Sequence, residues 1–410
     1  MEFSAKRAWL IIASLAAAVG YVLIVLLRAE AKYKAYLAII AIIVNMMIKF
    51  SSFSFQGCYE KMAISGEVQQ FRWLLITIIV VNLFVSVLKY FPQYEPLFLR
   101  NLHQGYFDQS QPVGVKTIVG SLIFGVGMQL SSGCILGMFT GIGDGSPRSF
   151  IAIATCIVGS TVGTLDSVYS WYTGLQRSTK PMKIHFGIML AILIGLILIT
   201  FAAERIVMGY KKTYEAPVNL LLNENIEKPS HIKEIILKVV QVGTALIAGG
   251  GLGVFYLLYG SMVNLEEGIP VFGARILQVC GLHPESWLYF SGKVIPENLL
   301  SNTSIIVNIG LIIGSFIAST IMGTFGNVEK SDAVACIKGA IGGFLVGLSS
   351  RISNGCTVSI VIGGMASSSM HGILWLVGSI IGCFATLKLT QLVTMKKKTS
   401  DDVAAYAVIP

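Results

Sequence analysis

Three Gly-Cys dipeptides interrupt otherwise greasy stretches of this chain. They are Gly57-Cys58 in "KFSSFSFQGCYEK", Gly133-Cys134 in "QLSSGCILGMFTGIG" (129–143) and Gly355-Cys356 in "RISNGCTVSIVIGG" (351–364). A thiol is a small hydrophobe, a weak hydrogen-bond donor and, when deprotonated, a nucleophile. Glycine beside it lets the backbone leave a helix and approach a ligand closely. Ser132 and Asn354 take equivalent places before Gly-Cys and could donate to a ligand oxygen. Arg351 lies five residues before Cys356, where it attracts an anion or snorkels to lipid head groups.

The elements that carry these groups are set by composition. Of 410 residues, 54% are hydrophobic and 12% charged, with mean hydropathy +0.74. A soluble domain has about 25% charged residues, so this chain reads as an all-α polytopic membrane protein in the lipid bilayer. Runs of bilayer-spanning length fall at 8–27, 36–55, 72–90, 184–203, 237–259, 303–324 and 371–393. Glycine-rich, weaker ones fall at 114–130, 149–165 and 334–350. The first span has Lys6 and Arg7 before it and is expected to be a signal anchor rather than a cleaved leader. The polar stretch 205–234 carries Arg205, Lys211, Lys212, Lys228 and Lys233 and is expected in the cytoplasm, as is the tail "MKKKTSDD".

Shifting the chain by 222 residues lays 116–146 on 338–368 without a gap. Lys116 meets Lys338, Gly120 meets Gly342, Gly125 meets Gly347, and Gly133-Cys134 meets Gly355-Cys356. Two pseudo-repeated helical bundles are therefore expected, at 1–204 and 237–395, joined by a cytoplasmic linker at 205–236 and followed by a tail at 396–410. Within them, 131–143 and 353–365 are too short to span. They read as re-entrant half-helices whose N-terminal N–H groups favour an anion. The paired glycines are expected to serve helix packing, Lys116 and Lys338 to sit at the interface, and Asp144 and Arg148 to cap the turn after the first half-helix.

Other classes fall away. No two cysteines are closer than 20 residues, which excludes C-x-x-C redox and zinc motifs, and no metal site or cofactor is expected. Cys156, Cys280, Cys336 and Cys383 read as structural. The formal charge of +9 is scattered over loops, so nucleic acid is not a partner. No Walker A motif occurs, so the chain alone does not use ATP. A transporter remains, with a membrane sulfurtransferase holding a persulfide as the alternative. No general base stands beside any Gly-Cys in sequence.

Paired Gly-Cys segments after glycine-spaced helices, with a third cysteine following an aromatic-rich span, resemble the YeeE/YedE family of sulfur-compound transporters. The stretch "FGARILQVCGLHPESWLYFSG" (272–292) resembles a connecting hairpin of that family. The resemblance implies a transporter, not an enzyme, in the cell inner membrane, taking up thiosulfate past three essential cysteines. By position these are Cys58, Cys134 and Cys356, with Gly57, Gly133, Gly355, Ser132, Asn354 and Arg351 around them. It also implies a TusA-like sulfur-carrier protein as partner and leaves open a selenium-linked branch. The chain departs where family members often carry arginine and phenylalanine before the first cysteine; here the residues are "FSFQGC".

Overall fold

A computed structural model describes residues 5–28, 33–90, 110–176, 180–214, 246, 249–256, 264–326 and 332–406. Among them the chain is helical, with one isolated bridge between Lys183 and Ser369. The helices are α1 Ala5–Arg28, α2 Tyr33–Phe50, α3 Phe55–Ile64, α4 Gln69–Tyr90, α5 Val115–Ser131, α6 Ile135–Gly143 and α7 Pro147–Val162. After them come α8 Asp166–Gly174, α9 Phe186–Tyr214, α10 Gly268–Val279, α11 Thr303–Met322, α12 Ala333–Ile352, a π-helix Thr357–Gly364, and α13 Met370–Tyr406. Eight spans among the described residues have the length and hydropathy to cross a bilayer. The pair α7–α8, bent by 75°, adds a ninth if taken as one span. The protein is thus a multi-pass membrane protein, with spans where the apolar runs predicted them. The expected span at 237–259 is described only at 246 and 249–256, and the linker from 215 onward lies outside the described residues, as do 407–410 of the tail.

Burial sorts the helices by position. In α1 and in the apolar part of α9 only 17% of the span is buried, and large apolar side chains such as Trp9, Leu27, Leu198 and Ile199 face outward. In α11 the share is 67%, so this helix runs through the protein interior. Lipid gives no hydrophobic drive for helix–helix contact, so close approach of backbones must supply it. Gly347 supplies such an approach: a methyl there would strike the Cys156 carbonyl on α7. Gly120, Gly125 and Gly342 are equally crowded by Ser353, Ser379 and Ser131, which accounts for the paired glycines as packing residues.

Buried amides tie distant elements together. Asn45 Nδ2 on α2 donates to the Leu311 carbonyl at 2.6 Å. Asn82 Nδ2 on α4 donates to the Met365 and Ala366 carbonyls at 3.1 and 2.9 Å, just past the π-helix. Both bonds lie out of water, where a lost partner leaves a costly polar group. Asn82→Ala should lower stability by about 1–3 kcal/mol, read as an earlier thermal unfolding transition in detergent.

Each Gly-Cys dipeptide follows a break marked by a residue in left-handed backbone: Ser52 (φ 52°), Ser132 (φ 60°) and Asn354 (φ 60°). Such a residue ends a helix by turning the chain out of the αR region. The short helix that follows does not turn back in the first two cases. Tyr33–Ile64 and Val115–Gly143 are continuous apolar spans of 32 and 29 residues, interrupted internally. The path of α6 agrees, since Thr140 meets Asn45 and Asp144 meets Lys49, both pairs running along α2. Segment 131–143 is therefore the second part of a broken span, where the sequence predicted a re-entrant turn. A short segment cannot cross alone, but it can complete the crossing begun by α5.

Candidate functional site

Cys134 is the N-cap of α6 and Cys356 the N-cap of the π-helix. Cys58 sits in the first turn of α3, whose N-cap Ser54 accepts from the Gly57 N–H at 3.2 Å. All three thiols are buried in the main core, as are Cys156 and Cys383. Cys134 lies within electrostatic range of Cys356 and of Tyr59, and Cys58 of Cys383. The structure therefore brings the three sequence-selected cysteines together and adds a fourth. Cys383 Sγ donates to Gln129 Oε1 at 3.1 Å, and Gln56 Nε2 reaches the same oxygen at 3.4 Å. Nothing near Cys383 in the sequence signals this, because it occupies an unbroken helix. Among the described residues, Trp375 Nε1 is buried in the same region without a hydrogen-bond partner, and the Thr357 hydroxyl stands against the Cys134 thiol. Such groups suit a pathway for a hydrophilic cargo.

Local chemistry at Cys356 is reciprocal. Its N–H donates to Ser359 Oγ at 2.9 Å and its sulfur accepts from the Ser359 N–H, closing a capping box. Ser359 Oγ in turn donates to Glu266 Oε1 at 2.9 Å. Gly355 makes the geometry possible. Its φ is +155°, and a Cβ there would fall 2.6 Å from Ile360 Cγ1 and 2.7 Å from Ser359 Oγ. Gly133 is tight but less so, with Gly137 backbone 3.1 Å from a Cβ, and at Gly57 the nearest atom is an ordinary 3.5 Å away.

A cavity of about 280 Å³ opens on the Cys356 side, with Lys116, Lys293, Arg351, Asn354, Ser359 and Glu266 in its wall. Arg351 is buried rather than snorkelling. Its Nη1 donates to Tyr289 Oη at 2.7 Å and its Nη2 to the Glu266 carbonyl at 2.8 Å. The 272–292 stretch delivers Tyr289 through two short 3-10 turns, pinned where the Leu288 N–H donates to Asp166 Oδ1 at 2.6 Å. Lys293 Nζ lies 3.9 Å from the Tyr289 ring centre, so two cations share one aromatic ring at the cavity wall.

The remaining sequence-selected residues divide. Asn354 is exposed and faces the cavity, whereas Ser132 is exposed but does not line it. Lys116, assigned to the interface with Lys338, is buried in the cavity wall; Lys338 is exposed. Asp144 is the C-cap of α6 and pairs with Lys49 at 2.5 Å, as expected; Arg148 instead donates back to the Leu130 carbonyl at the end of α5, so it secures the break before Cys134 rather than the turn after α6. Cys156 is buried, Cys336 half-buried and Cys280 exposed. Glu266, Tyr289 and Ser359 were not legible beforehand, since their relevance comes from elements far apart in the chain.

Comparison with known proteins accords with this arrangement. The chain is 24% identical over 149 residues to the "Probable transporter YedE" of Escherichia coli (strain K12), covering 36% of this chain and 37% of that protein. A YedE of Salmonella typhimurium is 23% identical over 164 residues, 40% and 41% of the two chains. The matches thus span about two fifths of the YedE relatives. Longer matches reach the "Thiosulfate transporter TsuA" of Spirochaeta thermophila, 22% identical over 65% of this chain and 75% of that one, and TsuA of E. coli K12, 24% identical over 70% and 78%. These names describe transporters, not enzymes. Residues 50–385 match the family described as Sulphur transport, and the chain belongs to that family.

Proposed function

We propose that the protein takes up a sulfur-containing inorganic anion, thiosulfate first among them, through the cell inner membrane. The observation that carries this reading is the placing of buried Cys58, Cys134 and Cys356 at three helix breaks within electrostatic range of one another or of Tyr59. The cavity beside Cys356, whose wall holds three cations against the carboxylates of Glu266 and Glu267, supports it. Lys116, Lys293 and Arg351 draw a dianion to the mouth, where Asn354 offers an amide to its oxygens. Beyond the mouth, thiols donate weak hydrogen bonds to its terminal sulfur, and the N-terminal N–H groups of α6 and the π-helix hold its oxygens. A row of weak sites binds without trapping, which movement through a pore requires. Arg351, held by Tyr289 and the Glu266 carbonyl, acts as a fixed charge rather than a mobile carrier. A TusA-like sulfur carrier is the expected acceptor on the cytoplasmic side.

Uptake of labelled thiosulfate, sulfate and selenite by cells lacking their own carriers tests this. Thiosulfate uptake that exceeds sulfate uptake supports the reading. Selenite uptake alone assigns the protein to a selenium substrate, and no uptake of any of the three overturns transport of this class. A persulfide-holding sulfurtransferase finds less support, because it needs a thiolate. Cys383 is bonded by Gln129, which is no base, and Cys356 has Ser359 and the Glu266 carboxylate beside it but, among the described residues, no Lys, Arg or His to stabilise a thiolate.

A further inference from the structure

Glu266 is a buried carboxylate that the transport reading leaves unused. It lies in the turn before α10 and is 2% exposed. Its Oε1 accepts from Ser359 Oγ, while Oε2 is buried without a hydrogen-bond partner. Arg351, the nearest cation by bonding, takes the Glu266 backbone carbonyl and not the carboxylate. Among the described residues no Lys or Arg forms a salt bridge with it. An unpaired buried carboxylate is costly in its ionised form and gains by binding a proton. It also stands in the wall through which an anion must pass, one serine away from Cys356. An ionised Glu266 would repel that anion; a neutral one would not, and could donate a hydrogen bond to it.

Resting on the transport reading, we propose that Glu266 is a proton-binding site coupled to the anion. It takes a proton from the cavity as the anion reaches Cys356 and releases it as the anion leaves, so one proton enters with each anion. Burial raises the Glu266 pKa above the ordinary carboxylate value; Arg351 opposes that rise and Glu267 adds to it. The other titratable groups around it are Cys356, Tyr289 and Tyr172, with Lys116 and Lys293 across the cavity. The cations keep Glu266 from being protonated permanently, and an arriving dianion offsets them. Low outside pH should therefore favour uptake, and the effect fades as pH rises through the Glu266 value.

The test uses the full chain in proteoliposomes with the membrane potential clamped and a pH-sensitive dye inside. An inward gradient of one pH unit should concentrate thiosulfate about tenfold, the limit for one coupled proton, and entry should acidify the lumen. Glu266→Gln, close to the neutral form in shape, should accumulate no thiosulfate in response to the gradient, at whatever rate it still exchanges labelled thiosulfate in counterflow. A wild type that moves thiosulfate without gradient-driven accumulation or acidification overturns the coupling and leaves the transport reading standing. A Glu266→Gln protein that still accumulates does the same. If Glu266→Gln fails to fold, Glu266→Asp takes its place: moving the carboxyl by one methylene should shift the outside pH at which uptake fades, and an unchanged pH dependence overturns the assignment to Glu266. Absence of thiosulfate counterflow in the wild type overturns both readings.

Discussion

Cys356→Ser should lower thiosulfate uptake by about tenfold or more at matched membrane expression, the equivalent of roughly 1.4 kcal/mol on the limiting step. Its stability should be unchanged or higher. The reason lies in position: Cys356 is an N-cap that already accepts from the Ser359 N–H, and serine is among the preferred residues there. Loss of transport therefore cannot be ascribed to a damaged cap. A hydroxyl is a harder and more strongly hydrated partner than a thiol, poorly matched to a terminal sulfur. Cys156→Ser provides the comparison, because Cys156 is buried on α7, where the Gly347 contact reads as helix packing. Uptake assays on both, alongside thermal unfolding in detergent, separate the effects. Full activity in Cys356→Ser, or equal loss in the two variants, would remove Cys356 from the pathway.

Gly355→Ala is the second large effect, and it should be seen in both folding and transport. Two costs add at this residue. The left-handed φ of +155° disfavours any side chain, by about 1–3 kcal/mol. The new methyl would also overlap Ile360 and Ser359, an overpacking of about the same size. Because Ser359 is the residue bonded to both Cys356 and Glu266, even a protein that folds should carry a displaced cap and little uptake. Gly137→Ala on α6 is the control, since apart from its own helix backbone and chain neighbours nothing lies within 4 Å of its Cβ position. There alanine should stabilise by up to about 1 kcal/mol through helix propensity. Thermal unfolding that ranks the two variants equally would show that the Gly355 backbone is not the constraint described.

How much of this was readable in advance depends on what each feature rests on. The membrane class, the apolar spans and the positions of the three breaks follow from local composition. A lipid core demands about 20 apolar residues per helix, and a run of small polar residues with glycine cannot continue one quietly. The selection of Cys58, Cys134 and Cys356 joined that local signal to the 222-residue shift and the family resemblance. The direction taken after a break was not local. Whether α6 turned back or went on was decided by its contacts with Asn45, Lys49 and Ser319 on α2 and α11. Lys116 and Lys338 show the same limit from the other side. They align in the 222-residue shift, yet one lines the cavity and the other faces outward. Cys383 and Glu266 carried no signal in sequence, for each sits in ordinary helix or loop surroundings, and for Tyr289 only its stretch, 272–292, stood out and not the residue. What gave them a place was the packing of α13 against α5, and of the 264–292 segment against the end of α12. A broken helix announces itself in sequence because the backbone must be accommodated residue by residue. The company its open end keeps is settled only when distant helices close around it.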